Sequence, residues 1–332
     1  MHCTLRACAL AAAVLLTGAD TTLANPEFKL RFGSYAPEGD VIDRAAHHFK
    51  ERLAALTNGR VDVTVFRSNA LGSNREMIEM TKLGNLDLTV SGSTHVSRFA
   101  PVLITVSLPS LFKDRDTMLK ILDGEIGGRI DASVARQGLH VLGWWETGFR
   151  HVSNNKRAIM KPDDIKGLKL RTLPSAVHVA YFRALGAIPT PMDWAEVMPA
   201  LQQGVIDGQE NPPAVVYPYR VFEFQKFYSL TSHVNEPNLL LISSATMAKL
   251  PKDVQDAIVT AGREATAFQR KASAEYNSNI MGELAKVMAV NEVPAETLAH
   301  FQTVAQSVYE RAYSDIGAEG RAIVDDIVKA SK

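Results

Sequence analysis

Residues 166–212 read KGLKLRTLPSAVHVAYFRALGAIPTPMDWAEVMPALQQGVIDGQENP. Leu168–Thr172 has the composition of a strand, and Ser175–Leu185 that of a helix. Ile188–Pro191 is a short extended piece. Asp193–Gln203 is a helix stopped by Gly204, and Val205–Gln209 is a strand. Upstream, Pro162–Gly167 is a turn or short helix. Strand, helix, strand, helix, strand with short links is the βαβ pattern of an open sheet with helices on its faces. In such sheets ligands bind beyond the carboxyl ends of the strands. Arg171 and Asn211 stand near two such ends.

The same alternation runs outward from this unit. Phe28–Gly33 reads as a strand. Asp40–Thr57 reads as a helix, with Val41, Ala45, Phe49, Leu53 and Leu56 on one face and Asn58-Gly59 as its stop. Arg60–Phe66 alternates Val61, Val63 and Val65 with polar residues, as a half-buried strand does. Asn74–Leu83 is a helix, Leu86–Val90 a strand, and Asp114–Arg136 helical. Leu139–Trp145 and Phe149–Ser153 are extended. Asp253 to about Met288 holds no proline and two glycines, Gly262 and Gly282. It predicts one long helix of about 50 Å, longer than a small lobe and suited to brace two. The fold class expected is therefore α/β.

The first residues carry an export signal. Arg6 supplies a basic start, Cys8–Leu16 (CALAAAVLL) an apolar run too short to span a bilayer, and Thr22-Leu23-Ala24 a cleavage site. Residues 1–24 are thus read as a signal peptide, cut near Ala24. Cys3 and Cys8 are the chain's two cysteines, so the mature chain has no disulfide and no thiolate metal site.

Apolar residues make up 46% of the 332-residue chain, enough for a substantial core. Lys+Arg and Asp+Glu are 36 each, which leaves no net field to attract nucleic acid or an anionic membrane. Neither phosphate-binding glycine signature occurs, nor does H-E-x-x-H, and Ser91-Gly92-Ser93 lacks the spacing of a nucleophile elbow. The adjacent His47 and His48 diverge on a helix and do not chelate together. No cofactor and no metal are expected.

The remaining polar features suit anion recognition. Arg150 follows Gly148-Phe149 at the edge of an extended run. In Gly167-Leu168-Lys169-Leu170-Arg171 the leucines point one way and the cations the other. A guanidinium grips a carboxylate through two parallel hydrogen bonds, which a lysine cannot do. Asn211, in Asp207-Gly208-Gln209-Glu210-Asn211-Pro212, both donates and accepts. Trp194 follows Pro191-Met192-Asp193 and offers an aromatic wall. Taken singly, each has an ordinary reading: a surface ion pair, a polar turn, a core indole.

Together, these segments resemble the solute-binding subunits of the tripartite ATP-independent periplasmic (TRAP) transporters. The likeness covers nearly the whole mature chain. Its pieces are Leu71-Gly72-Ser73-Asn74-Arg75-Glu76, Gly148-Phe149-Arg150, Lys166–Arg171, Pro189-Thr190-Pro191-Met192 and Leu201–Pro212. The resemblance implies a two-lobed periplasmic solute-binding fold with crossing strands and a long bracing helix. Lobe I would take 25–148 plus about 235–275, and lobe II 149–234 plus about 276–332. It makes Arg171 the main carboxylate grip, Arg150 its companion, Asn211 a ligand contact and Trp194 a cleft wall. Tyr35, Asn74, Ser93 and His95 fall in first-lobe loops that set selectivity. Sialic-acid-binding members carry an acidic residue and an arginine after the Leu86–Val90 strand. Gly92, Ser93, Thr94 and His95 stand there instead, which argues against sialic acid.

The implied function is a periplasmic monomer that captures a small organic acid and delivers it to TRAP membrane subunits. Polar first-lobe loops and an aromatic wall favour a uronic or other sugar acid. A C4-dicarboxylate or an aromatic acid is the alternative, the latter suggested by Trp144-Trp145. The binding subunit of an ATP-driven importer is a further reading. An exported enzyme would need His178 or Glu210 as its acid or base.

Overall fold

The structure is a computed structural model that describes residues 25–331; the signal-peptide reading of 1–24 lies outside them. Its strands, in chain order, are β1 (Phe28–Gly33), β2 (Val61–Phe66), β3 (Leu88–Gly92), β4 (Leu139–Trp145), β5 (Phe149–Asn154), β6 (Lys169–Thr172), β7 (Ile188–Pro191), β8 (Gly208–Asn211), β9 (Phe227–Asn235), β10 (Asn238–Ser243) and β11 (Ala289–Glu292). They form two sheets, ordered β2-β1-β3-β10-β4 and β11-β9-β5-β8-β6-β7. β1 pairs in parallel with β2 and β3, while β10 runs antiparallel to β3 and β4. In the second sheet β6 is parallel to β7 and β8, and β5 is antiparallel to β8 and β9.

The chain crosses between sheets through Glu146-Thr147-Gly148, from β4 to β5, and through Glu236-Pro237, from β9 to β10. This is a two-lobed α/β fold with crossing strands. Gly148 takes φ +101° in the first crossing, where a Cβ would meet the Asn277 amide.

The long helix spans Lys252–Val287, 36 residues, or about 54 Å. It lies along the helix Val41–Leu56 and β4 on one side, then reaches the short helix Pro213–Val216 and β11 on the other. Its seat on β4 depends on small residues. A Cβ at Gly143 would sit 1.8 Å from Thr266 Oγ1, and one at Gly262 would sit 2.9 Å from Leu142 Cβ. Thr266 donates to the Gly262 carbonyl and accepts from the Trp145 indole, at 2.8 and 3.1 Å.

Three expectations shift. The helical stretch 114–136 breaks at Gly124 into Arg115–Leu122 and Glu125–Ala135. Gly127 then packs so tightly that a Cβ would meet the Leu122 carbonyl at 1.8 Å. The strand expected at Val205–Gln209 is Gly208–Asn211, because Val205 still bonds back to Ala200 and closes the preceding helix. The C-terminal helix, Tyr309–Ala330, is not confined to the second lobe. It breaks at Gly317 and packs on Pro101–Val106, Arg115–Leu122 and Glu125–Ala135 as well as on Ala176–Ala184.

One core lies under the first sheet (Phe32, Phe49, Trp145, Ile258) and one under the second (Trp194, Val197, Tyr228, Leu284). A third joins Leu122 and Leu139 to Leu170, Tyr181 and Ile323 across both. Among the described residues, no helix is long and apolar enough to cross a membrane.

The contact at Gly143 makes a prediction. Gly143→Ala should lower stability by about 1–3 kcal/mol through overpacking against Thr266. Gly128→Ala, on an exposed helix face with nothing within 4 Å, should raise it by up to about 1 kcal/mol. Denaturant unfolding of both variants checks this, and equal midpoints would show that the long helix is not seated by the glycine.

Candidate functional site

The carboxyl end of β6 meets the first lobe's loops at a cavity holding about 460 Å³ of non-protein space, its mouth included. Tyr35, Asn74, Gly92, His95 and Asn238 line one wall, and Arg171, Leu173, Trp194, Asn211 and Val215 the other. Thr147, Arg150 and Glu236, from or beside the two crossings, close its back. The lobes touch here: the Tyr219 hydroxyl donates to the Tyr35 carbonyl at 3.2 Å, and His95 lies 3.9 Å from Asp193.

Arg171 is wholly buried. The buried Leu168 and Leu170 fix its strand, and parallel neighbours on both sides fix its direction. Its Nε and Nη2 donate to the Met192 carbonyl at 3.1 and 2.9 Å, while Nη1 has no partner. Trp194 covers the guanidinium, 5.6 Å from ring centroid to Cζ. Burial pulls the Arg171 pKa down to about 10, partly opposed by Glu210. A dry cation with an unpartnered nitrogen is costly, and an anion placed there would offset that cost.

Trp194 opens the helix Trp194–Gln202, whose start is fixed by Glu196 bonding back to the Asp193 amide at 3.0 Å. Its ring also meets Tyr219 edge-on at 5.0 Å. The indole is core and cleft wall at once.

Arg150, the expected companion of Arg171, is already paired within the protein. Its Nε and Nη2 hold the Glu210 carboxylate at 2.5 and 2.8 Å, and Nη1 lies 3.4 Å from Glu236. Burial alone would raise the Glu210 carboxyl; the Arg150 charge and the His233 contact at 3.1 Å hold it well below the usual range. Arg150 reaches the cavity already neutralised.

On the first-lobe wall, Asn74 accepts from Ser91 at 3.2 Å, and the Tyr35 hydroxyl donates to Asn238 at 3.0 Å. Both ring nitrogens of the buried His95 lack partners. Burial lowers its pKa to about 4, so it is a neutral donor and acceptor at physiological pH. Asn211 donates to Gln209 at 2.5 Å and is held from behind by the Tyr228 hydroxyl.

Seven of the eight residues picked from the sequence line the cavity; Ser93 does not. Gly92 takes that place, and Ser93 begins the short helix Ser93–Val96 with its hydroxyl buried and unpartnered. Trp144 and Trp145 are core residues away from the cavity. The acid–base candidates do not line it either: His178 is bonded to the Ser107 carbonyl at 2.8 Å, and Glu210 is locked on Arg150. Sequence reasoning missed Thr147, Glu236 and Asn238. The one signal for Glu236 and Asn238 is the polar Asn235-Glu236-Pro237-Asn238 set between two strand-like runs, where a crossing must bury its side chains, and Thr147 in the other crossing has none. Among the described residues, no group of three or more His, Cys, Asp or Glu could hold a metal ion.

Comparison with known proteins agrees with this geometry. A family model described as DctP, bacterial extracellular solute-binding protein, family 7, matches residues 32–315. The 2,3-diketo-L-gulonate-binding periplasmic protein YiaO of Escherichia coli K12 is 38% identical over 252 residues, 76% of this chain and 77% of that protein. The C4-dicarboxylate-binding periplasmic protein DctP of Rhodobacter capsulatus is 31% identical over 287 residues, 85% of each. The crystal structure of the sugar acid binding protein DctPAm from Advenella mimigardefordensis, in complex with galactonate, superposes with a TM-score of 0.88 at 30% identity, covering 91% of this chain and 98% of that one. The chain belongs to the DctP family of bacterial extracellular solute-binding proteins, and is a TRAP transporter solute-binding protein.

Proposed function

We propose that this protein is the periplasmic capture subunit of a TRAP transporter, binding a sugar acid or uronic acid between its lobes without chemical change. One observation carries the reading: a fully buried guanidinium, Arg171, presents an unpartnered Nη1 at a cavity whose opposite wall is built from neutral hydrogen-bonding groups. The carboxylate takes Arg171, with Asn211 beside it and Trp194 against the carbon chain. Hydroxyls meet Asn74, His95, Tyr35 and Asn238. Closure over the acid removes water and strengthens the ion pair. The loaded form is then the one handed to the membrane subunits. Export as a soluble monomer, with the signal removed near Ala24, completes the proposal. The galactonate complex and the diketogulonate-binding relative support a polyhydroxylated acid. The dicarboxylate-binding relative keeps a C4-dicarboxylate as the second reading. Among the described residues, Trp194 and Tyr35 are the Phe, Tyr or Trp side chains that line the cavity, in a lining otherwise mostly polar, which weakens the case for an aromatic acid.

A thermal-shift screen of organic acids, followed by calorimetric titration, tests this. Arg171→Ala should weaken binding of the best acid by about 2–5 kcal/mol, because it strands a buried carboxylate. Arg171→Lys should recover part of the loss, since it keeps the charge but loses the hold on the Met192 carbonyl that aims the free Nη1. An affinity for Arg171→Ala within about threefold of wild type, under 1 kcal/mol, would place the site elsewhere. Product formed from the acid on long incubation would contradict the absence of chemistry.

His95 supplies a pH test. Its folded pKa, about 4, lies below the unfolded value of 6.5, so the unfolded state binds more protons between them. The stability due to neutral His95 is full above about pH 6.5 and falls away toward pH 4, by at most about 1.4 kcal/mol per unit. Asp40, raised to about 7 mainly by burial, acts in the opposite sense. It is common to wild type and His95→Gln, so their difference isolates His95. Denaturant unfolding should show wild type losing stability relative to the variant as pH falls through that window. A constant difference would show that His95 is not held neutral.

A further inference from the structure

We propose that Glu236 makes the cleft select acids with a single carboxylate, by facing the ligand with a buried negative charge that accepts hydroxyls and turns a second carboxylate away. The inference rests on the reading of Arg171 as the carboxylate grip. It names which sugar acids fit and which do not.

Glu236 sits in the crossing between β9 and β10, is only 5% exposed and lines the cavity. Its Oε1 accepts the Thr94 amide at 2.9 Å, and its Oε2 lies 3.4 Å from Arg150 Nη1. An ionised carboxylate has about four acceptor positions, so these two contacts leave capacity for hydroxyl donors. Gly92 makes room for it: a Cβ there would stand 2.9 Å from Glu236 Oε1.

The cavity's charges decide the outcome. Arg150 is committed to Glu210 through two short contacts, with Glu236 as its longer third. Asp193 adds a carboxylate beside His95, and burial keeps His95 uncharged. His178 and His233 stand behind the wall, bonded to the Ser107 carbonyl and to Glu210. Arg171 is therefore the cation with a donor to spare, and one ligand carboxylate uses it. A second carboxylate enters a space already lined by Glu236, with Asp193 outside it beyond His95, and like charges repel strongly there for want of water. A ligand hydroxyl in the same place donates to Glu236. Selectivity then arises from repulsion of the competitor as much as from attraction of the ligand.

The test uses a matched pair, galactonate and galactarate, which differ in having a hydroxymethyl or a carboxylate at the far carbon. Calorimetric titration with both, and with succinate, is run on wild type, Glu236→Gln, Glu236→Asp and Arg171→Ala. Wild type should bind galactonate at least about 100-fold more tightly than galactarate or succinate, because like charges brought together in the cavity weaken binding. Glu236→Gln should narrow the galactonate-to-galactarate ratio at least tenfold, with galactarate affinity rising. Glu236→Asp keeps the charge and should keep the ratio. The ratio is read on one protein at a time, so a general loss of affinity or stability in a variant cancels. A ratio in Glu236→Gln within threefold of the wild-type value overturns the inference, as does a wild type that prefers galactarate or succinate. The Arg171→Ala arm reports separately. If galactonate binding survives it within threefold, the grip reading fails, whatever Glu236 does.

Discussion

A guanidinium taken out of water with its Nη1 unpartnered costs free energy, and the architecture around Arg171 is what sustains that cost. Two adjacent parallel strands hold its backbone. The Met192 carbonyl, at the end of β7, occupies Nε and Nη2, and Trp194 shuts solvent from its face. Glu210 supplies a favourable field without touching it, because that carboxylate is already held by Arg150. The result is a cation fixed in place, dry and incompletely satisfied, which is the pre-organised half of an ion pair. An acid that completes the pair meets a group that need not reorganise.

The second half of the site belongs to the other lobe, so binding and lobe geometry are one problem. The crossings place Thr147 and Glu236 at the cavity, between the two sheets. Glu236 links the lobes directly, accepting from Thr94 of the first and lying beside Arg150 of the second. Tyr219 joins them again, from the edge of the Trp194 ring to the Tyr35 carbonyl. A ligand spanning Arg171 and the Asn74–His95 wall adds to these contacts and favours the arrangement in which they form. The long helix seated by Gly143 and Gly262, together with the C-terminal helix interrupted at Gly317, limits which relative movements are available.

Much of this was legible in the residues. The βαβ run from Leu168 to Gln209 and the proline-free stretch from Asp253 onward carry strong periodicity, and both appear within a few residues of their expected bounds. The position of Arg171 at a strand's carboxyl end was legible for the same reason. The state of Arg150 was not: its partner Glu210 is 60 residues away and meets it only because β5 pairs with β8. Glu236 and Asn238 escaped notice because crossings have no periodic signature. Ser93 lies just past the end of β3 and outside the cavity lining, while Gly92, the last residue of that strand, lines it. Trp144 and Trp145 look alike in sequence to a binding wall, and only the packing of β4 shows both turned into core. Local pattern identifies elements; long-range pairing decides which polar groups are free.

In the proposed function the ligand's carboxylate goes to the free Nη1 of Arg171. A crystal structure with the tightest acid from the screen measures this directly. A carboxylate oxygen should lie within hydrogen-bonding distance of Arg171 Nη1, with the Arg150–Glu210 pair still intact. Finding the carboxylate on Arg150 with Glu210 displaced, or finding the acid outside this cavity, would contradict it.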